Sequence, residues 1–142
     1  MNASAADCEK LYEVYPQVPQ VSHYAQASRC RYLLILDGNG WPARLPLQLS
    51  TMGSTVVLST VFTTWSTRML RPFRHYLPLP MEYHMSALPP LLDWLELHSA
   101  EARHIALEGK RFAELHMRPI DMLLYTMLFV LEYADLCDFT EY

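Results

Sequence analysis

The sequence predicts an α/β fold, an open layer of parallel strands with a helical tail, and three observations predict it. Two short segments, Tyr32–Leu36 and Thr55–Ser59, are apolar or β-branched throughout, as strands buried on both faces of a helix-covered sheet are. The stretch between them is long enough for a parallel crossover. From Leu88 onwards the apolar residues recur at helical spacing. The predicted order is β-α-β-α-β followed by two or three helices.

Length and composition limit the class of protein. The chain has 142 residues, of which 51% are hydrophobic, enough for one globular domain with a buried core and too apolar for a disordered tail. Its net charge of −4 shows no excess of basic residues of the kind that nucleic-acid binding requires. The cations are nine Arg and two Lys, which reflects either binding of carboxylates and phosphates or genomic base composition. The cysteines, Cys8, Cys30 and Cys137, match no zinc spacing and leave the redox compartment open.

The first part of the chain divides into an arm and the start of the domain. Residues 1–27 are polar and irregular, and they predict an N-terminal arm with a short helix at about 7–14. Residues 28–142 predict the α/β domain. After the first strand, the pattern favours a helix over residues 43–52, ended by Gly53.

The middle of the chain predicts one more strand and two helices. A third strand is expected at about 74–78, after an amphipathic polar stretch. The next helix begins near Leu88, where Pro89 and Pro90 suit its first turn. Ser99 is a candidate cap for the helix that follows it.

The last predicted helix, at about 119–136, is apolar almost all round. Such a helix must be buried, or must pack against something absent from this chain. Its most apolar tract, residues 122–131, is about half the length that spans a bilayer. The N-terminus lacks the basic and apolar regions of a signal peptide, so no targeting or membrane segment is predicted.

The end of the first strand carries the candidate site. Residues 37–40 read DGNG and lie where open α/β sheets bind ligands, beyond the carboxyl ends of the strands. Gly38 and Gly40 allow positive φ and a close approach of the backbone to a ligand. Arg44 falls in the first turn of the predicted helix, whose positive end also favours an anion, and a diphosphate fits the size best. The alternative is a plain strand-to-helix turn. Asp37 either holds the turn or faces the ligand.

Three stretches together resemble glycosyltransferase family 90, the capsule-associated fungal glycosyltransferases and protein O-glucosyltransferases. Residues 32–60, YLLILDGNGWPARLPLQLSTMGSTVVLST, resemble the family block K-Y-x-L-x-x-D-G-N-G-W-S-A-R, a helix and G-S-x-V. Residues 70–79, LRPFRHYLPL, are similar to L-x-P-W-V-H-Y-x-P-V. Residues 91–121 are similar to the family's C-terminal helices. The resemblance covers about residues 28–136 in order.

The resemblance implies a Rossmann-like parallel sheet and the C-terminal, donor-binding half of a GT-B glycosyltransferase. Such enzymes transfer glucose or xylose from UDP-glucose or UDP-xylose to a hydroxyl of a glycan or protein, without a metal ion or other cofactor, and they usually work in the Golgi or endoplasmic reticulum. Arg44 stands at the position of the arginine that contacts the diphosphate. The residues implied to bind the nucleotide sugar are Gly38, Asn39, Gly40, Trp41, Ala43, Arg44, Thr64 and His75.

The chain also departs from the family pattern. Pro42 replaces a serine of the phosphate loop, and Thr64 lies where the family usually has an acid. Phe73 and Arg74 replace Trp-Val, which puts a charge where an apolar residue is usual. The family's N-terminal half, with its acceptor pocket and the aspartate expected as general base, has no counterpart here. No residue is therefore nominated as catalytic, and the chain alone is expected to be weakly active or inactive.

Alternatives remain for the individual residues and for the whole chain. His75 is either a ligand contact or a strand residue, and Trp41 either stacks on a ring or packs under the sheet. The remaining histidines have no metal-binding spacing, and these are His23, His84, His98, His104 and His116. The rival to a donor-binding domain is a non-catalytic interaction module or degenerate paralogue. It would dock on a partner, or on its own copy, through helix 119–136 and an open sheet edge.

Overall fold

The computed structural model describes residues 13, 19, 21–50 and 53–137. Its elements in chain order are α1 (His23–Arg29), β1 (Tyr32–Leu36), α2 (Leu45–Ser50), β2 (Thr55–Ser59), β3 (Leu77–Pro78), α3 (His84–Leu97), α4 (Ser99–His116) and α5 (Pro119–Leu136). Short 3-10 helices lie at Thr67–Met69 and Met81–Tyr83. The helix predicted at 7–14 lies outside the described residues, apart from residue 13, which is helical.

The three strands form one parallel sheet in the order β1-β2-β3. Tyr32 lies beside Thr55, and Leu77 lies beside Val57. The predicted class, a small parallel α/β sheet with C-terminal helices, is therefore confirmed. Its order, with each strand next to its neighbour in sequence, places β1 and β3 at the two edges.

The third strand is shorter than the predicted 74–78. A turn occupies the residues before it, since the His75 N–H donates to the Arg71 carbonyl at 2.9 Å. Phe73 within that turn has φ 60°, a left-handed conformation that non-glycine residues rarely adopt. Only an isolated parallel bridge between Pro72 and Tyr76 precedes Leu77–Pro78.

The two longer strands, β1 and β2, differ in how far their side chains are buried. Every residue of β2 is buried, as predicted. In β1, Leu33 and Ile35 are buried, whereas Leu34 is 39% exposed. The prediction that β1 is buried on both faces is wrong, because β1 lies at the edge of the sheet and only one of its faces is covered along its length.

Two apolar clusters lie on the two faces of the sheet, and α4 contributes to both. The first cluster contains Leu33, Ile35, Leu45, Leu49, Val56, Leu58, Leu70, Ala113 and Met117. The second contains Val57, Leu77, Leu79, Leu95, Ala102 and Ile105. Alternate residues of β2 enter opposite clusters, as the pleat requires. The first half of α4 therefore packs in the second cluster and its last part in the first.

Helix α4 passes close to the residues where β2 and β3 begin. The Thr55 hydroxyl, which is buried, donates to the Ala102 carbonyl at 2.9 Å. Gly109 is buried, and a Cβ there would overlap the backbone oxygen of His75 and press on Leu49. Glycine in the middle of this helix, which costs about 1 kcal/mol of helix propensity, is thus explained by close packing.

Two helix starts differ from their predictions. Helix α3 begins at His84 and follows a 3-10 turn directly, so Pro89 and Pro90 lie inside the helix and not in its first turn. Ser99 is the first residue of α4, and no side chain caps that helix at His98.

The last helix has the predicted bounds, Pro119–Leu136. The Arg118 N–H donates to Asp121 Oδ2 at 2.8 Å, and the Arg118 guanidinium donates to both carboxylate oxygens. None of its residues is buried. Among the described residues, no helix has the length and apolar character that crossing a membrane requires.

Candidate functional site

The candidate site is the corner where β1 and β2 end. Because the two strands are parallel and in register, Leu36 lies beside Ser59 and the loops that follow leave the same edge of the sheet. Asp37 Oδ2 accepts a hydrogen bond from the Val61 N–H at 2.8 Å and so ties the two loops together. The other carboxylate oxygen, Oδ1, is buried without a hydrogen-bond partner. Asp37 thus holds the corner.

Both glycines of the corner lie in open surroundings. Gly38 and Gly40 are not among the positive-φ residues, so the corner does not use the conformation that the sequence suggested for them. A Cβ at either position would have no atom of the described chain within 4 Å. Neither backbone conformation nor crowding within the described residues requires glycine at these two positions.

Arg44 lies directly before helix α2. The helix begins at Leu45, so the predicted start at 43 and the placement of Arg44 in the first turn are corrected. The Arg44 carbonyl accepts the Gln48 N–H at 2.9 Å, and buried Pro42 offers its carbonyl to the Leu45 N–H at 3.0 Å. The Arg44 side chain is half-buried, and in the described part of the chain its guanidinium has no ion pair or hydrogen bond.

Trp41 and Ala43 line an apolar groove beside the corner. The groove has a volume of about 550 Å³, and the end of α4 and the start of α5 form its far wall. Trp65 also lines it and stacks on Tyr125 of α5, with ring centroids 5.4 Å apart. Trp41 is 42% exposed, so it does not pack under the sheet. Sequence reasoning left Trp65 out of the site, although it directly follows Thr64, which the resemblance placed in the site.

Thr64 lies in the loop that follows β2, at the same edge of the sheet as the corner. Its hydroxyl, however, has hydrogen-bond partners within that loop. It lies 3.1 Å from the Ser66 hydroxyl and 3.2 Å from the Thr67 hydroxyl, and it accepts the Thr67 N–H at 3.2 Å. These bonds hold the start of the 3-10 helix at Thr67–Met69. Asn39, in contrast, is exposed within the corner itself.

The structure does not bring His75 together with the corner. His75 precedes β3 and lies at the edge where the strands begin, opposite the edge where β1 and β2 end. Its Nδ1 accepts the Arg71 N–H at 3.1 Å, and its ring stacks on Phe112. Burial, and then the nearby charge of Arg74, lower the pKa of His75 below its ordinary value, although Glu108 opposes the shift.

The charge of Arg74, unusual for the family pattern, is paired. Its Nε and Nη2 donate to Glu108 Oε2 at 3.1 and 3.0 Å. This bond holds the pKa of the Glu108 carboxyl below its ordinary value, although burial opposes the shift. The substitution of an apolar residue by Arg74 is therefore accommodated by an acidic partner on α4.

Potential metal ligands do not cluster in the described part of the chain, where no group of three or more His, Cys, Asp or Glu side chains is arranged to hold an ion. Cys30 and Cys137 are free thiols.

Comparison with known proteins shows the family of the chain. The sequence profile of glycosyl transferase family 90 matches residues 2–141. Protein O-glucosyltransferase 2 of Danio rerio is 30% identical over 130 residues, which are 90% of this chain and 25% of that protein. The chain thus spans about a quarter of the length of that relative.

Proposed function

This chain belongs to glycosyl transferase family 90, and from that membership we propose that it binds the nucleotide-sugar donor for a glycosyl transfer. The donor is UDP-glucose or UDP-xylose, and the acceptor is a hydroxyl of a glycan or protein. The name of the Danio rerio relative, a protein O-glucosyltransferase, favours glucose as the sugar and a protein as the acceptor.

The observation that carries the proposal is the open corner with its unpaired guanidinium. Glycine at a position without positive φ or crowding suits the close approach of a group from outside the chain. Arg44 is half-buried without a compensating carboxylate among the described residues. A buried or half-buried cation favours an anionic partner, and a guanidinium can bind phosphate oxygens through two parallel hydrogen bonds.

The proposed roles follow from these positions. Gly38, Asn39 and Gly40 form the loop that the diphosphate approaches, and Arg44 binds its oxygens. Trp41 and Ala43 lie between the diphosphate and the groove that carries Trp65. Thr64 can offer the donor only a hydroxyl that it also shares with the Ser66 and Thr67 hydroxyls. His75 acts at the other edge, where it positions the turn before β3.

Charge develops on the departing β-phosphate during such a transfer, and a fixed guanidinium stabilises it. Removing one such donor typically costs roughly 2–4 kcal/mol of transition-state stabilisation. We propose that Arg44 supplies this transition-state stabilisation and that no metal ion is needed. Asp37 is engaged by the Val61 N–H and is not offered as a general base. The base and the acceptor pocket are assigned to parts of the family protein outside the matched quarter. The setting that the resemblance favours is the secretory pathway.

Calorimetry with UDP and UDP-glucose tests the proposal. We expect the chain to bind both, with and without EDTA, and Arg44→Ala to weaken binding at least about 10-fold, since a hydrogen bond to a charged group contributes about 1.5–3 kcal/mol. Arg111→Ala removes an exposed arginine of α4 and is the matched control. Binding that Arg44→Ala leaves unchanged would overturn the assignment. If neither ligand gives a heat of binding, the rival function, a non-catalytic interaction module, would stand in place of donor binding. The exposure of α5 favours that rival.

A further inference from the structure

A cavity lies at the edge of the sheet where β1 and β2 begin, opposite the corner where they end. Its volume is about 660 Å³, which falls within the range of about 300–1,000 Å³ that small-molecule sites have. Residues from the starts of β1, β2 and α4 line it. The residues proposed above to bind the nucleotide sugar are not among them, so the cavity is a separate feature of the molecule.

The charged side chains that line the cavity are two arginines from different elements. Arg31 directly precedes β1, and Arg103 lies near the start of α4. Arg31 is paired with Glu96 of α3 at 3.0 Å, whereas Arg103 has no ion pair within the described part of the chain. Glu101, the acidic residue in the first turn of α4, lines a different groove. The lining of the cavity is therefore positively charged and includes no carboxylate.

The start of α4 adds backbone N–H groups to this lining. No side chain caps this helix of 18 residues at His98. The first backbone bond at this end runs from the Ala102 N–H to the His98 carbonyl at 2.9 Å. The N–H groups of Ser99 and Ala100, which both line the cavity, therefore have no acceptor among the residues that the structure describes. Such groups, together with the positive end of the helix dipole, favour an anion.

The Tyr32 hydroxyl lacks the partner that a buried hydroxyl ordinarily has. Its oxygen is buried and makes no hydrogen bond of normal geometry with the described residues. The Arg31 guanidinium lies close enough for this hydroxyl, and then for Glu96, to raise the pKa of Arg31 above its ordinary value. A guanidinium has no acceptor, however, so Arg31 cannot receive the O–H proton. Because buried polar groups in proteins are nearly always hydrogen-bonded, this proton calls for an acceptor from outside the described residues.

We propose that this cavity binds the phosphate group of a small organic molecule, a phosphate monoester. The unpartnered groups described above, on Arg103, Tyr32 and the start of α4, can all donate a hydrogen bond, and phosphate oxygens accept them. The Arg31 side chain, which is 67% exposed, turns towards the phosphate and opens the way to the Tyr32 hydroxyl. The organic part of the ligand fills the space that a free phosphate ion would leave empty. The inference does not depend on the nucleotide-sugar site.

Nuclear magnetic resonance of the isotope-labelled chain tests the proposal, with phenyl phosphate as the probe. The amides of Ala100 and Gly53 report on the cavity, and those of Gly38 and Gly40 report on the corner. We expect saturable shifts at Ala100 and Gly53 with a Kd of about 1 mM, and at least about 3-fold weaker binding of inorganic phosphate, which lacks the organic part. Sodium chloride at the same ionic strength should give no saturable shift at these two amides.

Three variants assign the binding to named side chains. Arg103→Gln removes the unpaired charge and should weaken binding of phenyl phosphate at least about 5-fold. Arg111→Gln, at another exposed arginine of the same helix, should leave the affinity unchanged. Tyr32→Phe removes the unpartnered hydroxyl, so it should raise the Tm of the free chain and also weaken binding about 3-fold. A hydroxyl with a structural role alone would not change both quantities in these directions.

Three results would overturn the proposal. The first is the absence of saturable shifts at Ala100 and Gly53 up to about 50 mM phenyl phosphate. The second is equal weakening by Arg103→Gln and Arg111→Gln, since net charge and not the cavity would then attract the probe. The third is inorganic phosphate that binds as tightly as phenyl phosphate, since the ligand would then have no bound organic part. The first result counts against the cavity even where Gly38 and Gly40 shift, so the two proposed sites fail separately.

Discussion

Glycine has two different uses in this chain. Gly109 is required by packing, because a Cβ there would overlap the backbone oxygen of His75. Gly40 has no such neighbour, and its φ is not positive. Substitution by alanine therefore separates a glycine that the fold needs from one that the proposed ligand needs.

We expect Gly109→Ala to destabilise the domain by about 1–3 kcal/mol, the usual cost of overpacking, even though alanine is the better helix former by about 1 kcal/mol. Gly40→Ala should leave the free energy of unfolding within about 0.5 kcal/mol of its original value, or raise it slightly, and weaken UDP binding. Urea unfolding measures the first effect and calorimetry the second. A Gly40→Ala variant that binds UDP as well as the original chain would contradict the role given to the corner.

His75 makes stability depend on pH. Its pKa in the folded chain lies below its ordinary value, mainly because of burial, so the unfolded chain binds more protons as the pH falls through about 6.5. Stability should be fully present above that pH and should fall below it. Protonation of Nδ1 also ends its bond from the Arg71 N–H. Thermal unfolding at pH 7.5 and 5.5 measures the effect.

The control for this effect is His75→Asn, which keeps an acceptor near Nδ1 and removes the titration. We expect Tm to change less between the two pH values in this variant than in the original chain. Equal changes in both proteins would mean that other groups cause the pH dependence.

The strands show which features of an element the sequence can predict. YLLIL and TVVLS both look like buried strands, and both are strands at the predicted positions. Their different burial depends on which strand is central, and that is decided by pairing between distant segments. The sequence also could not predict that β3 is shorter than expected. The turn before β3 contains Phe73 in a left-handed conformation, which its residue type does not suggest.

The start of α5 depends on a local ionic cap that can be titrated. The Arg118 guanidinium and N–H lower the pKa of Asp121 to about 2 from an ordinary value of 3.8. This contribution is present at neutral pH and should disappear as the pH falls from about 4 through 2. We expect Asp121→Asn to lower the helical circular dichroism signal at pH 7, and acid to have less further effect on that helix.

Glu132→Gln is the matched control, since it removes a carboxylate from the same helix far from its start. Equal loss of helical signal from both variants would show that net charge, and not the cap, stabilises α5.

At the scale of the whole molecule, some parts of the candidate site could be predicted from the sequence and others could not. The corner, its edge of the sheet and Arg44 belong to one continuous stretch, so local patterns predicted their proximity. The bond from the Val61 N–H to Asp37 and the groove that brings Trp65 to Trp41 join distant segments. His75 was included by its motif alone, and the direction of the strands separates it from the corner.

The size of the chain leads to the last prediction. A donor-binding corner positions and stabilises the leaving diphosphate, but transfer also needs an acceptor hydroxyl and a base to deprotonate it. Of the described carboxylates, the one at the corner is Asp37, and the Val61 N–H occupies one of its oxygens while the other is buried. The chain moreover matches a quarter of its relative.

We therefore expect the chain alone, supplied with radiolabelled UDP-glucose, to release free glucose slowly or not at all and to transfer none to a protein acceptor of the Danio rerio relative. That relative at full length is the positive control, and Arg44→Ala sets the background for hydrolysis. A chimera in which this chain replaces the matched quarter of that relative should regain transfer if the rest of the relative brings the base and the acceptor pocket to the corner. Efficient transfer by the chain alone would mean that a base lies within these 142 residues, and the assignment of that role to the rest of the relative would be wrong.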